Sequence, residues 1–267
     1  MNVSTHPSHT ESDRTPLRST ISALALGCSL AAAGTAVAAV YGEAGVACQK
    51  SYQNGWQNTL HYAWNNCSGF KDEIGNVQFY YNLVGAEPYW ETTWDQYEPE
   101  TVDIYYSETH GGAWDGRAVW AMWDDGSLAS SNEMWLGNEN QGLSILSTYS
   151  CATLQHAGIV GRYDSVFAGG LRYTTGSHDK FYDGLTTDEV GEDYADNLKD
   201  GDSIRYAWRD GVSDWYHDQD ATVLTTGYTL SECQSRRSGM RWTNYGSYPR
   251  RRNGDVNWYC WTWWNNL

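Results

Sequence analysis

The sequence predicts an α/β domain with a largely parallel sheet flanked by helices, spanning residues 73–230. Three observations carry that expectation. Short β-branched and aromatic runs recur along this stretch, helical or turn segments separate them, and no internal repeat or low-complexity linker interrupts the order. Strands joined by such crossovers pair in parallel, because a hairpin turn is too short to bring a chain back in the same direction.

The elements follow in order. "NVQFYYNLV" (76–84) is the first strand, and "TVDIYYSET" (101–109) is the second, running into His110-Gly111-Gly112. "GRAVWAMW" (116–123) suits a strand or a short helix and stops at the turn residues "DDG". "GLSILSTY" (142–149) is the third clear strand and delivers Ser150-Cys151, although Ser144, Ser147 and Thr148 interrupt its apolar run. "ATLQHAGIV" has room for one or two helical turns, and "GLRYTTG" (170–176) is a weaker strand. "TTDEVGEDYADNLKDG" opens on a capping threonine, carries acids in its first turn and ends at Gly201, so it reads as a helix. "DSIRYAWRDGVSDWY" sets Ile204, Ala207 and Trp208 at helical spacing, and "DATVLTTGYT" (220–229) is a late strand.

Both flanks differ from this core. Residues 1–38 read as a secretory leader: an apolar stretch follows Arg14 and Arg18 and ends in the small-x-small pattern Ala36-Val37-Ala38. The chain is therefore expected to be secreted or exposed at the cell surface. Residues 39–72 read as an N-terminal extension, polar and aromatic without a sustained period. Residues 231–267 form an Arg-rich, aromatic C-terminal segment ending in "NWYCWTWWNNL". That tail suits a lid on the domain or a surface that contacts glycans or a cell wall, and "RRR" (250–252) also fits a processing site.

Six cysteines occur, and Cys28 falls within the leader. Of the remaining five, Cys48 with Cys67 and Cys233 with Cys260 are the simplest local pairs in an oxidising compartment, although four cysteines allow three connectivities. Cys151 is left over, as an inert buried thiol, a reactive one, or half of another bridge.

The net charge is −16, with 17 Lys and Arg against 33 Asp and Glu. Such a surface excludes nucleic acid as a partner, since phosphate binding needs a cationic footprint, and it suits a salt-rich medium. Zinc-ligand spacing, an EF-hand loop, a phosphate loop, a dinucleotide fingerprint and a G-x-S-x-G elbow are all missing from the sequence, so no cofactor and no metal is expected. Asn66-Cys67-Ser68 matches a glycosylation acceptor.

Two strands end at chemically useful groups. In a parallel sheet, His110 and Cys151 emerge at the same carboxyl edge, where α/β folds place their sites. Imidazole is the usual base for a thiol nucleophile, and a glycine after the histidine lets a backbone N–H face a carbonyl oxygen. His178 is the rival base, while His156 reads as structural and His217 as a solvated loop residue.

A strand ending in His-Gly, followed 41 residues later by a strand ending in a small residue and Cys, resembles the caspase–gingipain–legumain clan of cysteine peptidases. "MWLGNENQGLSILSTYSC" and "GLRYTTGSHDKFYD" also look like an uncharacterised microbial family with a caspase-like fold. The resemblance spans roughly 73–229 and implies His110 as general base and Cys151 as nucleophile. It further implies that the N–H groups of Gly111 and Cys151 form an oxyanion hole. The expected function is a secreted cysteine peptidase or transpeptidase that acts on a peptide or protein through an acyl-thioester. The alternative is a non-catalytic extracellular binding or surface-assembly protein on the same scaffold, suggested by fifteen tryptophans and twenty tyrosines.

Overall fold

A computed structural model describes residues 2–5, 42–51, 59–84, 99–121, 128–137, 142–252 and 254–267. The strands of the main sheet are β1 (Asn2–Thr5), β2 (Ala44–Ser51), β3 (Val77–Val84), β4 (Ile104–Glu108), β8 (Ile145–Tyr149), β9 (Tyr173–Ser177), β10 (Ala221–Gly227) and β11 (Trp258–Trp264). Between β4 and β8 the chain folds a small antiparallel sheet of β5 (Gly111–Trp114), β6 (Arg117–Ala121) and β7 (Leu128–Ser130). The main sheet runs β1-β11-β10-β9-β8-β4-β2-β3. From β3 through β9 every neighbour is parallel, while β10 runs antiparallel to both β9 and β11.

Helices α1 (Ala63–Ile74), α3 (Val190–Lys199) and α4 (Ile204–Gly211) cover one face. There Phe70, Tyr106, Tyr194 and Trp208 are buried in one cluster. Helix α2 (Ile159–Ala168) and the small sheet cover the other face, burying Trp120, Tyr163 and Phe167. Helix α5 (Leu230–Gly239) packs against β10 and β11 and is capped by Thr229, whose side chain accepts the Glu232 N–H. Among the described residues no helix is long and apolar enough to cross a membrane.

The sheet uses the flanks that the sequence set apart. Within the expected extension 39–72, β2 is an interior strand between β4 and β3, and α1 packs on α3. Central parallel strands are buried on both faces, so "AGVACQKS" shows no alternation to betray it. The C-terminal segment likewise supplies α5 and β11, with Tyr259, Cys260 and Trp261 buried. Its aromatic tail is thus largely a core strand. The expected leader falls mostly on residues outside the described set, and Asn2–Thr5 pairs with Trp258–Trp261.

Cys48 on β2 is bridged to Cys67 on α1, and Cys233 on α5 to Cys260 on β11, with Cα–Cα distances of 6.1 and 5.8 Å. Each disulfide ties a helix to the strand beneath it. Arg250 donates to the carbonyl oxygens of Leu143 and Gly142, and Arg251 forms a two-point ion pair with Glu232. The "RRR" stretch therefore holds the tail in place.

The polar residues of β8, and Ser144 just before it, are buried and partnered. Ser147 Oγ lies 2.9 Å from the Tyr194 hydroxyl, Thr148 donates to the Thr175 carbonyl, and Ser144 accepts from Arg172 and Arg250.

Candidate functional site

β4 and β8 are adjacent and parallel, with Glu108 paired to Tyr149 at their carboxyl ends. Thr109-His110 and Ser150-Cys151 consequently leave the sheet side by side. Both lie on the wall of one cleft of about 570 Å³, closed by Thr59–His61 ahead of α1 and by Phe181–Asp183. Tyr149 anchors that last segment: its hydroxyl donates to the Tyr182 carbonyl at 2.6 Å, and its ring stacks on Phe181 at 4.3 Å.

Gly111 sets how closely the two catalytic candidates approach. A Cβ there would stand 2.8 Å from both Ser150 Cβ and Thr153 Cγ2, and 3.0 Å from the Cys151 carbonyl oxygen. The Ala121 N–H donates to the His110 carbonyl at 2.8 Å, and Gly111 pairs with Trp120. In an antiparallel ladder hydrogen-bonded pairs alternate with non-bonded ones, so the Gly111 N–H points off the edge of β5. Immediately after the thiol, Ala152 adopts a left-handed φ of 51°. A non-glycine residue in that region stores strain, which concentrates at functional sites.

The Cys151 thiol is half-buried and bonded to one backbone unit: Phe181 N–H donates to Sγ at 3.4 Å and Sγ donates to the Phe181 carbonyl at 3.5 Å. Burial pushes the thiol up from 9.0, opposed by the bonds to Phe181 and reinforced by the charges of Asp179 and Glu108. His110 is half-buried in the same cleft, within electrostatic reach of Asp183.

The sequence did not single out the acids of this cleft. Glu108, 1% exposed, is held well above the ordinary glutamate value by burial and then by the charge of Asp183, against the hydrogen bond from Asn66. Asn66 Nδ2 donates to its Oε2 at 2.8 Å, while the buried Oε1 has no partner among the described residues. Asn66 is itself fully buried, so in the folded chain it is no glycan acceptor. Asp183 accepts the N–H groups of His61 and Tyr62 at the start of α1, an anion at a helix N-terminus. Burial raises it, and those two bonds and the charges of His61 and His110 oppose the rise. A charged residue on the buried face of "TVDIYYSET" was the available signal for Glu108, because a strand interior rarely hides a carboxyl. Asp183 sits in a turn and carries no such signal.

Of the other histidines His61 also lines the cleft, whereas His156, His178 and His217 do not. His178 bonds Thr222 at 2.9 Å and Asn265 at 2.6 Å and stacks on His156, whose ring also meets Trp263. His217 pairs with Asp214 at 2.7 Å and stacks on Tyr182 at the cleft rim. Among the described residues no group of three His, Cys, Asp or Glu side chains is arranged to hold a metal.

Beside the cleft an apolar pocket of about 310 Å³ shares His110 and is lined by Gly111, Trp114, Val119 and Leu128. No curated protein sequence is significantly similar to the chain. A family profile described as "Domain of unknown function (DUF6345)" matches residues 47–264, taking in both disulfides and the cleft. The chain belongs to the DUF6345 family.

Proposed function

We propose that this protein is a secreted, caspase-like cysteine peptidase or transpeptidase that uses His110 and Cys151. One observation carries the reading: both residues follow adjacent parallel strands and face the same cleft. The close packing of Gly111 against Ser150-Cys151 and the strained Ala152 support it.

In this reading His110 takes the Cys151 proton as Sγ attacks the substrate carbonyl carbon. The carbonyl π electrons move onto oxygen, which the Gly111 and Cys151 N–H groups receive. Collapse expels the amine, protonated by His110, and leaves an acyl-thioester. Water, or a second amine in a transpeptidase, then attacks the acyl carbon and returns the thiol. The resting thiol is protonated and bonded to Phe181, so substrate must displace that bond before attack.

Peptide-library cleavage read by mass spectrometry tests the reading. Wild type cleaves, and Cys151→Ala and His110→Ala each lose more than about 100-fold. Absence of both cleavage and an acyl adduct on Cys151 in wild type rejects it. A binding role without catalysis is favoured by a different observation: Trp215 is 99% exposed and Tyr216 stands beside it, linked through His217 to Tyr182 at the cleft rim. Retention of a glycan or cell-wall ligand that is lost in Trp215→Ala, with no cleavage, selects that role.

A further inference from the structure

We infer that Glu108 is the floor of a subsite for a cationic side chain, a guanidinium or ammonium group next to the bond that Cys151 attacks. The inference deepens the proposed function and rests on reading this cleft as the substrate site.

The starting point is the unpartnered Oε1. It is buried on the cleft wall, while the other oxygen of the same carboxyl is bonded to Asn66 at 2.8 Å. A buried carboxyl oxygen left unmatched costs free energy, and on the wall of a cleft an entering ligand is one way to complete it. A second carboxyl, Asp183, lines the same cleft, and among the described residues its lining holds no lysine or arginine, only the imidazoles of His61 and His110. An anionic group entering here meets two acids. An apolar group leaves Oε1 unmatched, and a neutral amide satisfies one atom without balancing the two carboxyls. A cation does both.

The remaining walls suit such a side chain. Tyr149 and Phe181 present rings stacked at 4.3 Å, 9° from parallel, against which an aliphatic stem or planar guanidinium can lie. The Tyr149 hydroxyl and the Tyr182 carbonyl close the same side, joined by a 2.6 Å hydrogen bond. Position follows from register. Glu108 ends β4 two residues before His110, and its partner Tyr149 ends β8 two residues before Cys151. A cation on Glu108 therefore sits beneath the thiol, where the side chain of the residue being acylated belongs.

The test compares n-butylguanidinium with n-butylurea, which has the same stem without charge. Ligand-observed NMR on the full chain should give a Kd for butylguanidinium at least tenfold below that of butylurea. Glu108→Gln should remove that preference, and prior alkylation of Cys151 should block binding of both. Equal Kd values on wild type overturn the inference, whatever the fate of the variant. So does an unchanged preference in a folded Glu108→Gln protein. Cleavage assays keep the two ideas apart. Peptides cut equally well after Arg, Lys, Gln and Leu leave the peptidase standing and remove the subsite. Glu108-dependent butylguanidinium binding without cleavage of any peptide keeps the subsite and removes the peptidase.

Discussion

The backbone of Phe181 clamps the Cys151 thiol from two sides, with its N–H 3.4 Å and its carbonyl oxygen 3.5 Å from Sγ. A thiol that donates to a carbonyl keeps its proton, and burial together with Asp179 and Glu108 pushes in the same direction. The resting nucleophile is therefore quiet. Alkylation by iodoacetamide at pH 7.5 should be slower for the native protein than for the urea-unfolded chain, because only thiolate reacts. The rate should climb through an inflection above 9.0, the ordinary thiol value. An inflection below that value would show that a base or cation already stabilises the thiolate at rest.

Gly111→Ala tests the contact that brings the two strand ends together. The new methyl would meet Ser150 Cβ and Thr153 Cγ2 at 2.8 Å, closer than carbon atoms approach. Both neighbours are buried, so neither swings aside freely. Overpacking of this kind costs about 1–3 kcal/mol. The expected result is a lower urea midpoint together with a shifted Cys151 alkylation rate. Wild-type values for both would mean that the loop after β8 yields easily.

How legible the molecule is in its sequence depends on which physical signal each element carries. β3, β4, β8 and β10, with α3 and α4, stand out through β-branched runs or helical spacing. β2 is buried on both faces and lacks alternation. β11 is so rich in tryptophan that it passes for a lid. α2 is entered through Gly158 at a left-handed φ of 75°, without a side-chain cap to mark its start. The same contrast holds in the cleft. His110 and Cys151 each end a recognisable strand, so a parallel sheet brings them together. Glu108 is a single carboxyl that no spacing rule flags. Asp183 and Phe181 come from an irregular segment placed by Tyr149 and Gln219, which is a tertiary fact.

Glu108→Gln should stabilise the protein in neutral solution. Burial and Asp183 raise the folded carboxyl well above 4.5, while the unfolded chain keeps the ordinary value. The folded state thus holds the proton more tightly. The stability from this group is complete below 4.5 and declines as pH rises from there through the raised folded value. The decline is at most about 1.4 kcal/mol per pH unit for one proton. Glutamine keeps the shape and the oxygen that Asn66 needs, but has no proton to lose. Differential scanning across pH 4 to 9 should show equal slopes at the acid end and a growing advantage for the variant above it. Parallel curves throughout would mean that Glu108 is ionised and satisfied in the folded state.

His156 carries the opposite sign. Burial lowers it from 6.5 to about 4, and the charges of His178 and Arg162 add to the effect. Its ring lies 4.5 Å from both His178 and Trp263, and its buried Nε2 has no partner among the described residues. The unfolded chain takes up a proton near 6.5, while the folded chain resists until about 4. The stability this group contributes is therefore present above 6.5 and is lost as pH falls between those two values. Replacement by phenylalanine retains the stack and removes the titration. His156→Phe should match wild type at pH 8 and lose less stability than wild type between pH 6.5 and 4.5 in urea unfolding. Identical acid sensitivity of the two proteins would place the proton uptake elsewhere. Carboxylates held down by hydrogen bonds and opposite charge, such as Asp214 and Glu232, would then be the groups to remove next.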